Sequence, residues 1–259
     1  MKTSFDWSNC KQLSIFKIFL AFLLPGAFAF VGFRFVLPLL VMAGHPKILM
    51  WGLVASVMLL IFVIIAIFLN YNESRKLNIT LIERLCIKRL TAKQWVTYLG
   101  IMFIGIMLSL LAKPLIEPFI RITGLHIPDY MPFWLDMSIN PMKADVNVLS
   151  PGYPLKGNFM FLIVMSITLL LNILAEEIYF RAWLLPKMYS LGQWSWIING
   201  LLFALYHTFQ LWLFPVLFVV SITTAFVVYK SKSILPAFTI HIIANFIMAI
   251  AGILYLVIS

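Results

Sequence analysis

The chain has 259 residues, of which 63% are hydrophobic and only 11% are charged. Soluble domains contain roughly 45–50% apolar and about 25% charged residues, so this composition excludes a soluble globular fold. The high hydrophobicity also excludes disorder. The formal net charge of +10 does not indicate a nucleic-acid partner, because the cations lie in short loops between apolar runs. We therefore predict an all-α, polytopic transmembrane helical bundle in contact with the lipid bilayer.

Seven apolar runs have the length of membrane helices, each of which needs about 20 mostly apolar residues. The runs are Ile18–Met42, Ile48–Leu69, Trp95–Ile116, Phe159–Trp183, Trp194–Trp212, Leu213–Tyr229 and Ile234–Ile258. A polar, proline-rich stretch over residues 117–158 separates the third run from the fourth. The boundary between the fifth and sixth runs depends only on length and on Pro215.

Basic residues are distributed unevenly between the two sides of these runs. Thirteen Lys and Arg residues lie on one side and five on the other. Because cytoplasmic loops carry an excess of Lys and Arg, we predict an N-terminus in the cytoplasm and a C-terminus outside. The first run resembles a signal peptide in its possible cleavage site at 27–29. The run continues to Met42, however, which favours a retained helix.

Charged and amide side chains within the runs are candidates for a functional site. An ionisable residue in a membrane helix costs roughly 2.5–3.5 kcal/mol on insertion, and a functional role is its default interpretation. With a rise of about 1.5 Å per residue, the acids and histidines agree in depth to within about two helical turns. This agreement predicts a shared cavity in the cytoplasmic half of the membrane. Its candidate residues are Glu176, Glu177, Arg181, His207, His241 and Asn245.

The neighbours of the two glutamates distinguish their roles. Glu177 and Arg181 have the spacing at which helical side chains meet, so we predict that they pair. Glu176 has no cation at this spacing and is left free to act as a general base. His241 and Asn245 are also four residues apart, and such a pair can donate hydrogen bonds to a developing oxyanion.

His207 has two possible roles. It can hold an attacking water with Glu176, or it can ligate a divalent metal with Glu176 and His241, since two histidines and one carboxylate form a known zinc set. Each of these residues alone also has a structural interpretation, such as a packed histidine or an amide between helices. Their coincidence on three helices favours a site. The absence of GxSxG and HExxH motifs argues against a serine hydrolase and excludes an ordinary zinc protease of the HExxH type.

Three motifs follow one another on the late runs: EExxxR at 176–181, FxxxH at 203–207 and HxxxN at 241–245. In this order they resemble the motifs of the CAAX-protease and bacteriocin-processing family of intramembrane endopeptidases. The resemblance covers residues 159–259, which we interpret as a catalytic four-span core. Residues 1–158, with three spans and an extracytoplasmic loop, correspond to the N-terminal part that varies in this family.

The resemblance implies roles for the motif residues. Glu176 resembles the glutamate that activates water, and His207 the residue that helps to orient this water. His241 and Asn245 resemble the oxyanion pair. Whether the mechanism depends on glutamate or on a metal such as zinc stays open. The supporting members of the first motif are Glu177 and Arg181.

The resemblance also implies a reaction, hydrolysis of peptide bonds in membrane-associated or lipidated peptides or proteins, within a cavity open to the cytoplasm. Eukaryotic relatives process prenylated CAAX proteins, and bacterial relatives are linked to bacteriocin immunity. The short chain, rich in Ile, Phe and Lys, is typical of a bacterial plasma-membrane protein. Two other functions stay open, a non-enzymatic immunity or scaffold protein and a small transporter with a proton relay.

Overall fold

A computed structural model describes residues 5–136, 138–139 and 149–258. Every regular element in these ranges is a helix, which confirms the predicted all-α class. Six helices are long and apolar enough to cross a membrane, and a shorter apolar helix is the seventh of the bundle. Lys2 and Lys143, two of the loop cations counted above, lie outside the described residues. The orientation of the termini stays a prediction.

The seven helices of the bundle are α1 Ile15–Met42, α2 Lys47–Leu77, α3 Ala92–Leu111, α4 Phe159–Leu191, α5 Trp194–Tyr206, α6 Phe214–Ser231 and α7 Leu235–Ile258, of which α5 is the short one. Shorter helices lie at Trp7–Asn9, Leu81–Arg84, Lys113–Leu115, Ile116–Thr123, Phe133–Leu135 and Thr208–Leu213. The predicted end of the fifth span at Trp212 is wrong. The helix stops before His207, and a 3-10 turn covers Thr208–Leu213. Pro215 then stands in the first turn of α6, where its missing N–H does no harm.

Three membrane helices contain a π-helical segment, at Gly32–Val36 in α1, Glu177–Leu184 in α4 and Ile242–Ile247 in α7. Such segments have hydrogen bonds between residues five apart and are frequent at functional sites. The second begins directly after Glu176, and the third directly after His241. Local helix geometry therefore changes at the residues that the motifs single out.

Close helix contacts hold the C-terminal helices together. α5 packs along α6, and a Cβ at Gly200 would lie 2.7 Å from the Ile222 Cα, so only glycine permits this approach. α4 packs along α2, where the Thr168 hydroxyl donates to the Gly52 carbonyl at 3.0 Å. α7 contacts α3 and α6 through its first segment, Leu235–His241, and α4 through its later segments. This arrangement leaves a cavity between α7 and the helices around it.

Candidate active site

Three helices bring Glu176, His207 and His241 together. Glu176 is the last residue of the regular α-helical part of α4, His207 follows the end of α5, and His241 ends the first segment of α7. The His207 Nε2 atom is 3.5 Å from Glu176 Oε1, and the His241 Nε2 atom is 3.8 Å from Glu176 Oε2. The Glu176 and His207 side chains are buried. The carboxylate thus lies between two imidazoles.

The second nitrogen of each imidazole is held by a separate acceptor. His207 Nδ1 donates to the Phe203 carbonyl at 2.9 Å, one of the last carbonyls of α5, which lack partners within the helix. His241 Nδ1 donates to Glu177 Oε1 at 3.0 Å. Because a carbonyl only accepts, neutral His207 carries its proton on Nδ1 and presents an unprotonated Nε2 to Glu176. The neutral His241 ring likewise carries its proton on Nδ1 and leaves Nε2 unprotonated.

The predicted pair of Glu177 with Arg181 is not formed. Glu177 binds His241 instead, and Arg181 Nη1 donates to Asn199 Oδ1 at 2.6 Å. The Arg181 guanidinium also lies 4.2 Å from the centroid of the Phe203 ring. The π-helical segment explains the error, because its wider turn aligns residues five apart rather than four.

Asn245 lies in the π-helical segment of α7 and lines the cavity together with His241. Within the described part of the chain, none of its side-chain atoms has a hydrogen bond that would fix it. The amide is therefore available to a ligand in the cavity. Its role as an oxyanion donor stays a prediction.

The cavity has a volume of about 650 Å³ and one polar end. That end is formed by the acids, the imidazoles and Asn245, while the remaining wall is mainly aromatic and aliphatic. The lining extends from Ala237, near the start of α7, to Leu256, near its end, and to Phe133 in the connection before α4. The apolar part therefore lies on the α3–α4 loop side of the acids. Among its apolar residues are Phe28, Phe33, Trp51, Phe62, Trp134 and Phe209.

A comparison with protein-family models gives a match over residues 158–247, to the family described as Type II CAAX prenyl endopeptidase Rce1-like. All three motifs lie within the matched residues. The resemblance to the CAAX-protease family is confirmed. The matched segment begins just before α4 and ends in α7, so α1–α3 lie outside it, and the division into residues 1–158 and 159–259 stays a prediction. No curated protein and no solved structure matches the chain.

A metal could be held in this CAAX-protease-like segment only if several donor atoms converged on one point. Among the described residues, no group of three or more His, Cys, Asp or Glu side chains could hold a metal ion. The reason is visible in the distances, since His207 and His241 approach different oxygens of Glu176. This donor set does not fit a zinc ion as it stands. Zinc bound by Glu176, His207 and His241 stays a prediction.

Two asparagines that belong to none of the motifs contact the motif residues. Asn172 Nδ2 donates to Glu176 Oε1 at 2.8 Å. The spacing of four residues along α4 could have revealed this contact. Asn199 is fully buried and binds both Arg181 and the Phe180 carbonyl. It lies on another helix, so no spacing in the sequence indicates it.

Proposed function

We propose that the protein is an intramembrane endopeptidase that hydrolyses peptide bonds in membrane-associated or lipidated peptides or proteins. The observation that carries this proposal is the Glu176 carboxylate, buried between two imidazole Nε2 atoms at the polar end of the cavity. The match to a prenyl endopeptidase family supports the reaction class. The proposed location is the plasma membrane of a bacterium, with the N-terminus in the cytoplasm.

Water activation follows from the acceptors at the site. A carboxylate and a neutral imidazole Nε2 both accept, so a donor has to lie between them, and a water molecule supplies two protons. A water bound to Glu176 Oε2 and the His241 Nε2 atom would sit in hydrogen-bond contact with both at about 2.8 Å. Glu176 then takes one proton while the water oxygen attacks the carbonyl carbon of the scissile bond.

The oxyanion formed by this attack requires donors. As the carbon–oxygen bond forms, the π electrons of the carbonyl move to its oxygen, to which the Asn245 amide can donate a hydrogen bond. The second proton of the water can pass to His241 Nε2, which then donates a hydrogen bond to the oxyanion, while Glu177 at Nδ1 stabilises the cation. The carbon–nitrogen bond then breaks, and Glu176 returns its proton to the leaving amine. The His241 ring releases its extra proton to solvent when the product leaves as a carboxylate.

The apolar wall supports a substrate with an apolar segment or a lipid group. Its volume of about 650 Å³ is within the range of roughly 300–1,000 Å³ for sites that bury small ligands. The scissile bond would be held at the polar end, and the apolar group along the aromatic side chains.

The experiment is cleavage of a panel of quenched peptides by the purified protein in liposomes. The panel contains prenylated CAAX peptides, leader peptides and short transmembrane segments. Glu176→Gln should reduce kcat by about 10²–10⁴-fold, the usual contribution of general acid–base catalysis. Glu117→Gln, at an exposed glutamate paired with Arg121, is the control and should cleave like the wild type.

Three results would contradict the proposal or part of it. Equal cleavage by wild type and Glu176→Gln would show that Glu176 is not the general base. No cleavage by either folded protein would favour the immunity or scaffold function. Loss of cleavage in the presence of a chelator, with recovery on adding zinc, would replace the glutamate mechanism with the metal mechanism.

A further inference from the structure

Asn172 lies one turn before Glu176 on the α-helical part of α4, and both residues line the cavity. The Asn172 amide donates to Glu176 Oε1 at 2.8 Å. This is the shortest contact that the Glu176 carboxylate makes within the described ranges, and Asn172 belongs to none of the three motifs. Its amide group is therefore hydrogen-bonded directly to the carboxylate of the proposed base.

The two oxygens of Glu176 have different surroundings. Oε1 accepts from Asn172, and His207 Nε2 is 3.5 Å from the same atom. Within the described ranges Oε2 makes no hydrogen bond, and His241 Nε2 lies 3.8 Å from it, which is too far for a direct one. The lone pairs that stay free to accept a proton are therefore mainly on Oε2, the oxygen on the His241 side.

We propose that Asn172 is a positioning residue that holds the Glu176 carboxylate with Oε2 directed at the attacking water. The inference rests on the proposed endopeptidase function. The last torsion of a glutamate is broad and roughly two-fold, so the carboxylate needs an external contact to keep one orientation. The neutral His207 ring presents an unprotonated Nε2 at 3.5 Å and donates nothing to Oε1, whereas the Asn172 amide donates to it at 2.8 Å.

Asn172→Leu tests the proposal because leucine has a similar size and no donor. We expect kcat to fall by about 10–100-fold with KM nearly unchanged, since a small misplacement of a reacting group can cost roughly 10²-fold. The matched control is Asn158→Leu, the same substitution at the N-cap of the same helix. It removes a cap and should lower the unfolding midpoint while leaving kcat unchanged. Asn172→Leu should instead lower kcat and leave the unfolding midpoint nearly unchanged.

Asn172→Asp provides a rescue that a purely structural residue would not show. An ionised aspartate repels Glu176, but a protonated one donates to Oε1 as the amide does. The variant should therefore be nearly inactive at neutral pH and recover part of its kcat at acidic pH. Two carboxyl groups that share a proton are known in aspartic proteases.

An infrared measurement keeps the proposal testable without a substrate. The carboxylate stretching band assigned to Glu176, by its absence from Glu176→Gln, should shift in Asn172→Leu and stay in place in Asn158→Leu. An unshifted band in Asn172→Leu would overturn the inference even if no peptide were cleaved. If the wild type cleaves and Glu176→Gln does not, a wild-type kcat in Asn172→Leu would overturn the inference and leave the proposed function intact.

Discussion

Two buried groups of charged side chains lie at different levels of the bundle. The first joins the C-terminal end of α2, the α2–α3 loop and the end of α4. Glu73 accepts hydrogen bonds from both Arg84 and Lys187. Arg84 also donates to the Ala182 carbonyl at 2.6 Å and to the Trp183 carbonyl at 3.1 Å. Each charge in this group has a partner of opposite charge, as buried charges in a stable scaffold require.

The second group, at the polar end of the cavity, is less completely satisfied. Glu177 Oε2 and Arg181 Nε are buried without a hydrogen-bond partner in the described part of the chain. Among the described residues, Glu176 Oε2 also accepts no hydrogen bond, and the His241 imidazole near it is 3.8 Å away. Buried polar groups are nearly always satisfied, so each exception calls for an explanation. A water and a substrate would fill these positions under the proposed function, whereas the first group needs no ligand to satisfy its charges.

Replacement of glutamate by glutamine should act on stability at Glu73, in the first group, and on catalysis at Glu177, in the second. Glu73→Gln leaves two buried cations without their carboxylate and should destabilise the protein by about 3–5 kcal/mol. Activity per folded molecule should stay within twofold of the wild type. Unfolding midpoints in detergent and kcat values measured on the folded fraction would test both parts. A Glu73→Gln protein of normal stability would show that the first group is not structural.

Asn199→Leu removes the acceptor from the buried Arg181 while keeping the side-chain volume. A buried polar group that loses its partner costs about 1–3 kcal/mol of stability, and a charged group costs more. We therefore expect the free energy of unfolding to fall by about 3 kcal/mol. The matched control is Asn158→Leu, where the amide is only half-buried and about 1 kcal/mol is expected. Equal losses in the two variants would mean that Asn199 is not needed to hold Arg181.

Glu177→Gln should act on catalysis and hardly on stability. Glutamine can still accept from His241 Nδ1 through its carbonyl, but it cannot stabilise a protonated ring as a carboxylate does. We expect kcat to fall by roughly 10–100-fold, less than for Glu176→Gln, because the base itself is retained. A wild-type kcat would indicate that His241 stays neutral throughout the reaction.

The helices could be predicted because a membrane span requires a long apolar run, and such runs are visible in the sequence. Their ends could not be predicted in the same way. α2 continues past Leu69 to Leu77 because its last turns hold Glu73 against Arg84 and Lys187, which is a tertiary contact. α5 likewise ends at Tyr206 because of a tertiary contact, since His207 leaves the helix and faces Glu176.

The proximity of the motif residues could be predicted from the sequence, but their pairing could not. Three ordered motifs identified the residues that meet around Glu176 and His241. The predicted pair of Glu177 and Arg181 assumed an ordinary α-helix, and the π-helical segment changes which side chains align. The contact of Asn199 with Arg181 joins two helices, so its geometry depends on their packing rather than on any spacing.

Lys232 is a third kind of buried cation, because its Nζ atom has no hydrogen-bond partner and no carboxylate within 4 Å among the described residues. It lies between α6 and α7, outside both helices. Its Nζ atom is 3.8 Å from the ring centroid of Trp7, 4.1 Å from that of Tyr189 and 4.2 Å from that of Tyr229. Aromatic faces attract an ammonium group. The lysine therefore links the N-terminal segment to the ends of α4 and α6.

The titration of Lys232 should give the smallest effect. Burial lowers its pKa from 10.5 to about 8, nearby Lys230 acts in the same direction, and Cys86 and Asp6 oppose the change. Because the unfolded chain keeps this proton up to a higher pH than the folded protein does, stability should rise as the pH increases from 8 towards 10.5. Lys232→Met keeps the aromatic contacts of the stem and cannot titrate, so this part of the rise should disappear. Unfolding midpoints of both proteins across that pH window are the measurement. Parallel curves would show that the three rings hold the ammonium strongly enough to cancel the effect of burial.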